Sequence, residues 1–418
     1  MTQATEIKLF DRLIHRHSGQ TLRIIHTDAR QQRPMLWGQD AEGRTHRLTP
    51  TPEFQLEWML DTNPSLWPQD PARILGCLLA GAAGDALGAA VEFMDWPAIE
   101  QQFGAQGIRS MAPAYGRLGA ITDDTQMMLF TAEGLLRATV RSTARGICHP
   151  PAVVHHALLR WLLTQGQQAA TEVGEDGWLI EQRALWSRRA PGNTCLTALS
   201  RSRRFGELAD NNSKGCGGVM RVAPCAFFAD AFGLASETAQ YSHGHPTGYL
   251  AAGLFADILQ KLWLQQQPLK DACLLALEQH GGKRGMQETR ELVEYVLRMH
   301  QLGVRPTPAS IAELGGGWIA EEALAIGLWC ALSATDLEDG IVMAVNHSGD
   351  SDSTGLIAGN LLGLMRGPGA IPDHWLDELE LREVITQVAA DISFVPAVYD
   401  DDDDSGLSKD IWLRYPGW

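Results

Sequence analysis

Gly349-Asp350-Ser351-Asp352-Ser353-Thr354-Gly355-Leu356-Ile357-Ala358-Gly359-Asn360-Leu361-Leu362-Gly363-Leu364-Met365 is an acidic loop running into a stretch that is apolar on most helical faces. A helix that is hydrophobic all round belongs at the centre of a multi-helix bundle. Glu322–Ala334 has the same character. Ile74–Val91 is also strongly apolar, but Asp85 interrupts it, and its alanines and glycines suit a tightly packed core helix better than a membrane span. Working outward, helices are expected to start near Pro71, Thr122, Pro151, Gly248, Pro268, Glu288, Glu321, Thr335 and Ser353. The expected fold is all-α, a compact multi-helix bundle over residues 71–418. Phe103–Ala120, glycine-rich and irregular, reads as a long loop placed to cover a site.

Residues 1–70 differ, and form a small α+β extension with a linker. Ile7, Phe10, Leu13 and Ile14 have helical spacing, so a short amphipathic helix is expected there. Thr21–Asp28, Pro34–Asp40 and Arg44–Pro50 read as strands, the last two joined by an Asp40-Ala41-Glu42-Gly43 turn. Pro52, Pro64, Pro68 and Pro71 mark a linker. The module is either a structural cap or a device for recognising a partner.

The chain has 418 residues, 45% of them hydrophobic, and a formal net charge of −16. The Asp400–Asp404 run, read as a solvated turn, contributes five of these charges and leaves −11 elsewhere. That balance argues against nucleic acid as a partner, because phosphate binding needs a basic face. Arg201, Arg203 and Arg204 are a short basic run, either a solvated face or a docking point for an acidic protein. Seven scattered cysteines without a CxxC pair read as reduced thiols, and no signal peptide opens the chain, so a cytoplasmic location is expected.

Chemistry concentrates in two acidic clusters. Thr122-Asp123-Asp124-Thr125 places a capping hydroxyl and two carboxylates at a helix start, where acids also simply favour the helix dipole. Asp350-Ser351-Asp352-Ser353-Thr354 repeats the arrangement before another apolar helix. If the fold joins the clusters, like charges 4 Å apart repel by about 4 kcal/mol at an effective dielectric of 20, so a cation is needed between them. Carboxylates and hydroxyls are hard donors suited to magnesium, manganese or calcium, and no zinc pattern occurs. Two oxygen-bound metals favour hydrolysis over redox chemistry. The second cluster also fits the DxDx[TV] nucleophile motif of haloacid-dehalogenase-type phosphatases, but it lies too near the C-terminal end, with Lys409 the only lysine after it.

Other positions carry weaker signals. Gly215, Gly217 and Gly218, flanked by Lys214 and Arg221, could cradle a diphosphate through backbone N–H groups, or form a tight turn. Cys216 sits in that loop without a base partner and is not read as a nucleophile. His243 and His245 precede a helix entered at Pro246 and could cap it or face a ligand. Glu92, beside Phe93 and Trp96, could have a raised pKa and act as a proton donor. Asp85 reads as a buried supporting group.

Taken together, Ile74–Gly88, Thr122–Thr125, Gly215-Cys216-Gly217-Gly218-Val219-Met220-Arg221, His245-Pro246-Thr247-Gly248-Tyr249, Glu322–Ala325 and Gly349–Gly355 resemble the ADP-ribosylglycohydrolase family, in order, over roughly residues 73–385. The resemblance implies an all-α fold with a binuclear Mg2+ or Mn2+ centre. It implies metal ligands at Thr122, Asp123, Asp124, Asp350, Asp352 and Ser353. It places Gly215, Cys216, Gly217, Gly218, Val219 and His245 beside ADP-ribose, and gives Glu92 and Asp352 catalytic roles. The motifs are most similar to the ADP-ribosylarginine hydrolase branch, with an ADP-ribosylated protein as substrate and neither nucleic acid nor membrane as partner. The layout is also similar to immunity proteins that bind ADP-ribosyltransferase toxins, which would give residues 1–70 a toxin to contact.

Overall fold

Gly76, Gly84, Gly355, Gly359 and Gly363 let two apolar helices meet backbone to backbone, and the rest of the molecule is arranged around that contact. An added Cβ at Gly84 would strike the carbonyl oxygen of Gly355, one at Gly359 that of Ala80, and one at Gly363 that of Gly76. The computed structural model describes residues 7–28, 35–63, 65–400 and 409–417.

An antiparallel sheet comes first, built from β1 (Arg12–His15), β2 (Thr21–Asp28), β3 (Met35–Gln39), β4 (Thr45–Leu48) and β5 (Trp58–Leu60) in the order β4-β3-β2-β1-β5. The helix α1 (Pro52–Glu57) precedes β5. Then follow α2 (Pro71–Gly88), α3 (Trp96–Phe103), α4 (Asp123–Arg145), α5 (Pro150–Thr164), α6 (Asn193–Arg201), α7 (Ala231–Gln240) and α8 (Pro246–Gln265). The remainder comprises α9 (Leu269–His280), α10 (Gln287–Gln301), α11 (Pro308–Leu314), α12 (Ala320–Ser333), α13 (Leu337–Val345), α14 (Ser351–Arg366), α15 (Asp373–Leu376), α16 (Arg382–Asp400) and α17 (Lys409–Arg414). The all-α bundle with a small N-terminal sheet is the architecture the apolar helices implied.

The central pair is α2 against α14, and α12, α13 and α16 pack around it. Every residue of α2 is buried, which is why its sequence lacks a polar face. Asn360 on α14 donates to the Cys77 carbonyl at 2.8 Å, which ties the two helices together through a side-chain amide. No helix among the described residues is long and apolar enough to cross a membrane.

The extension corrects two expectations. Leu13 and Ile14 lie in β1, not in a helix, because Leu13 points into a small core with Ile24, Leu36 and Phe54 while β1 pairs with both β2 and β5. Tertiary pairing overrides the helical spacing. The stretch after Pro52 is not all linker, since α1 and β5 fold within it and β5 adds the last strand of the sheet beside β1. β2 matches the expected strand, and β3 and β4 meet across the expected turn; Pro34 lies outside the described residues. Asp401–Asp404 also lie outside them, and Asp400 is the last residue of α16.

The sheet rests on the bundle. His26 stacks on Phe394 of α16 with ring centroids 4.2 Å apart and planes 7° apart. Buried Arg23 grips both oxygens of Asp70, the N-cap of α2, at 3.0 and 2.8 Å.

Candidate metal centre and substrate cleft

Asp85 organises the first acidic cluster from below. It projects from α2, where its carboxylate accepts from Thr122 N–H at 3.1 and 3.0 Å and from Thr125 N–H at 3.2 Å. Thr122 caps α4 by accepting from Asp124 N–H at 3.2 Å, which fixes Asp123 and Asp124 in the first turn. From the side, Arg189 contributes its carbonyl to Asp123 N–H at 3.2 Å and its guanidinium to the Ile121 carbonyl at 2.9 Å. That guanidinium forms a buried two-pronged pair with Glu380 at 2.6 and 3.0 Å. Glu380 also accepts from Ile121 N–H at 3.2 Å.

The second cluster is held from the other side. Asp350 N–H donates to the Gly316 carbonyl at 2.8 Å, and Thr354 Oγ1 reaches the carbonyls of Ala344 and Asp350 at 2.7 and 2.8 Å. The clusters meet directly: Ser353 Oγ donates to Asp124 Oδ1 at 2.7 Å. Glu92, in the turn after α2, completes the group, with carboxylate oxygens of Glu92, Asp350 and Asp352 all within 4.8 Å of one another.

The electrostatics follow from this crowding. Burial first, and then the carboxylates of Asp352, Asp350, Asp123 and Asp85, push Glu92 up to about 11. Burial and Asp352 push Asp85 up to about 7, and hold Asp123, Asp124 and Asp350 well above the ordinary carboxylate range. Glu92 Oε2 and Asp350 Oδ2 are buried without a hydrogen-bond partner. A set of hard oxygen donors with unmet lone pairs fits a divalent cation.

A cleft of about 180 Å³ opens onto the acids, lined by Glu92, Asp123, Asp124, Asp350 and Ser353 together with the Gly215-Cys216-Gly217 loop, His243 and Trp318. Gly218 and Val219 are buried behind that loop. The loop forms a short 3-10 turn, and Cys216 N–H is tied to the Trp318 carbonyl at 3.0 Å. Cys216 is raised well above the ordinary thiol range by burial and by Asp350 and Asp124, which agrees with its exclusion as a nucleophile.

The flanking cations do not turn toward the loop's open side. Arg221 is fully buried and donates backwards to the carbonyls of Gly217 and Thr238 and to Ser242. Lys214 is engaged by Glu288 and Glu321. His245 caps α8 by accepting from Thr247 N–H at 3.2 Å, while His243 stands on the cleft wall, kept neutral because burial and Arg221 lower its pKa to about 3. Beside the cleft, and sharing Thr194 with it, lies an open groove of about 900 Å³ bordered by Arg201, Arg203, Asn211 and Ser213. Sequence reading missed Arg189, Glu380, Thr194 and Trp318; only the last had a signal, a tryptophan directly after Gly315-Gly316-Gly317.

Comparison with known proteins agrees with this architecture. The ADP-ribosylglycohydrolase family model matches residues 68–403. An ADP-ribosyl-[dinitrogen reductase] glycohydrolase of Rhodospirillum rubrum is 30% identical over 335 residues, covering 76% of this chain and 95% of that protein. An ADP-ribosylarginine hydrolase of Pseudomonas putida is 24% identical over 365 residues, covering 82% and 83%. A solved ADP-ribosylglycohydrolase-related protein complex superimposes with a TM-score of 0.56 at 28% identity, covering 78% of this chain and 98% of that one. The chain is a hydrolase of the ADP-ribosylglycohydrolase family.

Proposed function

We propose that the protein removes ADP-ribose from arginine side chains of modified proteins by hydrolysing the N-glycosidic bond. The observation that carries this reading is the convergence of Glu92, Asp124, Asp350, Asp352 and Ser353 on one buried cleft. Thr122, Asp123, Asp124, Asp350, Asp352 and Ser353 would hold two Mg2+ or Mn2+ ions. Bound there, such ions supply Lewis-acid polarisation of ribose hydroxyls and water.

The chain's own groups divide the remaining work. Within the Gly215-Cys216-Gly217-Gly218-Val219 loop, where Gly215, Cys216 and Val219 N–H are bonded to Ser213, Trp318 and the Cys216 carbonyl, Gly217 and Gly218 N–H would serve the diphosphate, with His243 on the adjoining cleft wall and His245 capping α8 behind it. The surrounding carboxylates stabilise positive charge growing at C1″ as the bond to the guanidinium nitrogen breaks. Asp352 orients the attacking water and accepts its proton while the water oxygen bonds to C1″. Glu92, at the edge of the acidic group, would give a proton to the departing guanidine nitrogen. The seven unpaired thiols suit a reducing, cytoplasmic setting.

Release of ADP-ribose from an arginine-modified protein, followed by chromatography with Mg2+ present, tests the reading. Asp123→Ala and Asp350→Ala should each abolish it; retention of wild-type release by either would refute the mechanism.

A second reading adds contact with an ADP-ribosyltransferase toxin through the N-terminal module. It is favoured by exposed Met59 and Leu60 on the edge strand β5, with exposed Leu56 on α1 next to them, since an open apolar strand edge is a ready pairing surface. Met59→Glu in the full chain should weaken toxin capture without lowering hydrolysis. Unchanged capture would leave the module as a cap on the bundle.

A further inference from the structure

We infer that Phe93 and Trp318 form an aromatic platform at the cleft mouth that binds the guanidinium of the leaving arginine and so selects the arginine linkage; this rests on the hydrolytic reading above. The two rings lie 6.2 Å apart between centroids with planes 18° apart, and they are 72% and 46% exposed. Phe93 directly follows Glu92, and Trp318 lines the same cleft as Glu92 and Asp350. The platform therefore borders the acids where the glycosidic bond would be cut.

Trp318 is exposed and yet fixed. A Cβ on Gly316 would sit 2.7 Å from its Cδ1 and 2.9 Å from its Nε1, so the indole occupies space that only glycine leaves free. The Gly316 carbonyl holds Asp350 N–H, and the Trp318 carbonyl holds Cys216 N–H. One glycine-rich turn thus sets the indole, an acidic donor and the ligand loop in register. A large apolar side chain held open in this way implies a ligand face rather than unfinished core packing.

The chemistry of the rim selects the ligand. Among the described residues lining the cleft there is no lysine or arginine, while carboxylates are abundant. A planar cation can stack on indole and phenyl faces and also gain from the acids behind them. An ADP-ribosylated guanidinium is such a group; an O-glycosidically linked serine is neither planar nor charged. The protein already contains the same contact nearby, where the Arg189 guanidinium lies 5.7 Å from the Tyr115 ring centroid.

The test compares wild type, Phe93→Leu, Trp318→Leu, the double variant and Trp318→Phe in hydrolysis of ADP-ribosylarginine and in calorimetric binding of free ADP-ribose, all with Mg2+. The double variant should lose about tenfold in kcat/KM, carried by KM, as expected for a lost cation–π contact. Its affinity for ADP-ribose should stay within about twofold, and Trp318→Phe should recover most of the loss because a ring remains. Wild-type KM in the double variant, with the parent active on arginine-linked substrate, would overturn the platform alone. An equal fall in ADP-ribose affinity would overturn it too, by assigning the rings to the nucleotide. A parent enzyme inactive on arginine-linked ADP-ribose would overturn the hydrolytic reading itself. Phe93→Leu, at a mostly exposed position, keeps the comparison interpretable if Trp318 variants fold poorly.

Discussion

Ser353 Oγ donates to Asp124 Oδ1 at 2.7 Å across 229 residues of chain, and this bond joins the two acidic clusters into one site. Neither residue could be held there by its own helix alone. Ser353 is carried by α14 and Asp124 by α4, and both helices are registered against α2, which supplies Asp85 beneath the Thr122 loop. The arrangement concentrates carboxylates in a buried space, where a bound divalent cation would offset their mutual repulsion.

Melting temperature should therefore respond to metal. Saturating Mg2+ or Mn2+ at about a hundred times Kd should stabilise the fold by roughly 2.7 kcal/mol, raising Tm by a few degrees, and chelation should reverse it. Asp350→Asn should melt at or above the metal-free wild type, because one buried charge is gone, and should lose the metal response. Differential scanning fluorimetry with Mg2+, Mn2+ and chelator decides this; a wild-type Tm indifferent to all three would count against a metal centre.

Gly84→Ala tests the helix contact that sets the register. Its Cβ would meet the Gly355 carbonyl oxygen and carbon, which are backbone and cannot rotate aside. Separating α2 from α14 would move Asp85 relative to the acids at the start of α14. A destabilisation of about 1–3 kcal/mol or more is expected, with loss of hydrolysis exceeding the loss of folded protein. Urea unfolding measured alongside activity per folded molecule distinguishes this from a tolerated substitution.

What was legible in the sequence was whatever is repeated locally. Asp123-Asp124 and Asp350-Ser351-Asp352-Ser353 stood out because each is a cap written in adjacent residues before an apolar helix. Thr21–Asp28 stood out as a strand through its own short run of β-branched and apolar residues. Leu13 and Ile14 were misleading because four positions of helical spacing cannot report the strands on either side of them. The histidines show the same limit: His243 and His245 are equivalent in the text of the chain, and only the packing of the Gly215–Gly218 loop turns His243 to the cleft. Arg189 and Glu380 left no trace, being 191 residues apart with unremarkable neighbours.

That pair nevertheless should govern activity at a distance. Glu380→Ala would leave Arg189 buried without its carboxylate and would free Ile121 N–H, directly before Thr122 and the first acidic cluster. A cost of about 3–5 kcal/mol is expected from the orphaned charge. Arg189→Met with Glu380→Leu should recover much of that stability yet remain poorly active, because Ile121 keeps neither partner. If the double variant regained full hydrolysis, the pair would serve stability only.

His26 should set part of the acid sensitivity of the fold. Burial first, then Arg414, lowers its pKa from 6.5 to about 4, against an opposing pull from Asp28. A histidine with a depressed folded-state pKa binds fewer protons folded than unfolded between those values. Its unfavourable contribution is therefore absent above pH 6.5 and grows as pH falls toward 4, approaching roughly 3 kcal/mol. Neither ring nitrogen has a hydrogen-bond partner, and the ring stacks on Phe394, so an uncharged aromatic can occupy the same place. His26→Phe should thus keep the stack and remove the titration, narrowing the difference in Tm between pH 7.5 and pH 4.5 relative to wild type. The shift should appear at the junction of the sheet and α16, readable as hydrogen exchange in β2. An identical pH profile in the two proteins would mean that His26 ionises freely and that the sheet is not clamped to the bundle through this ring.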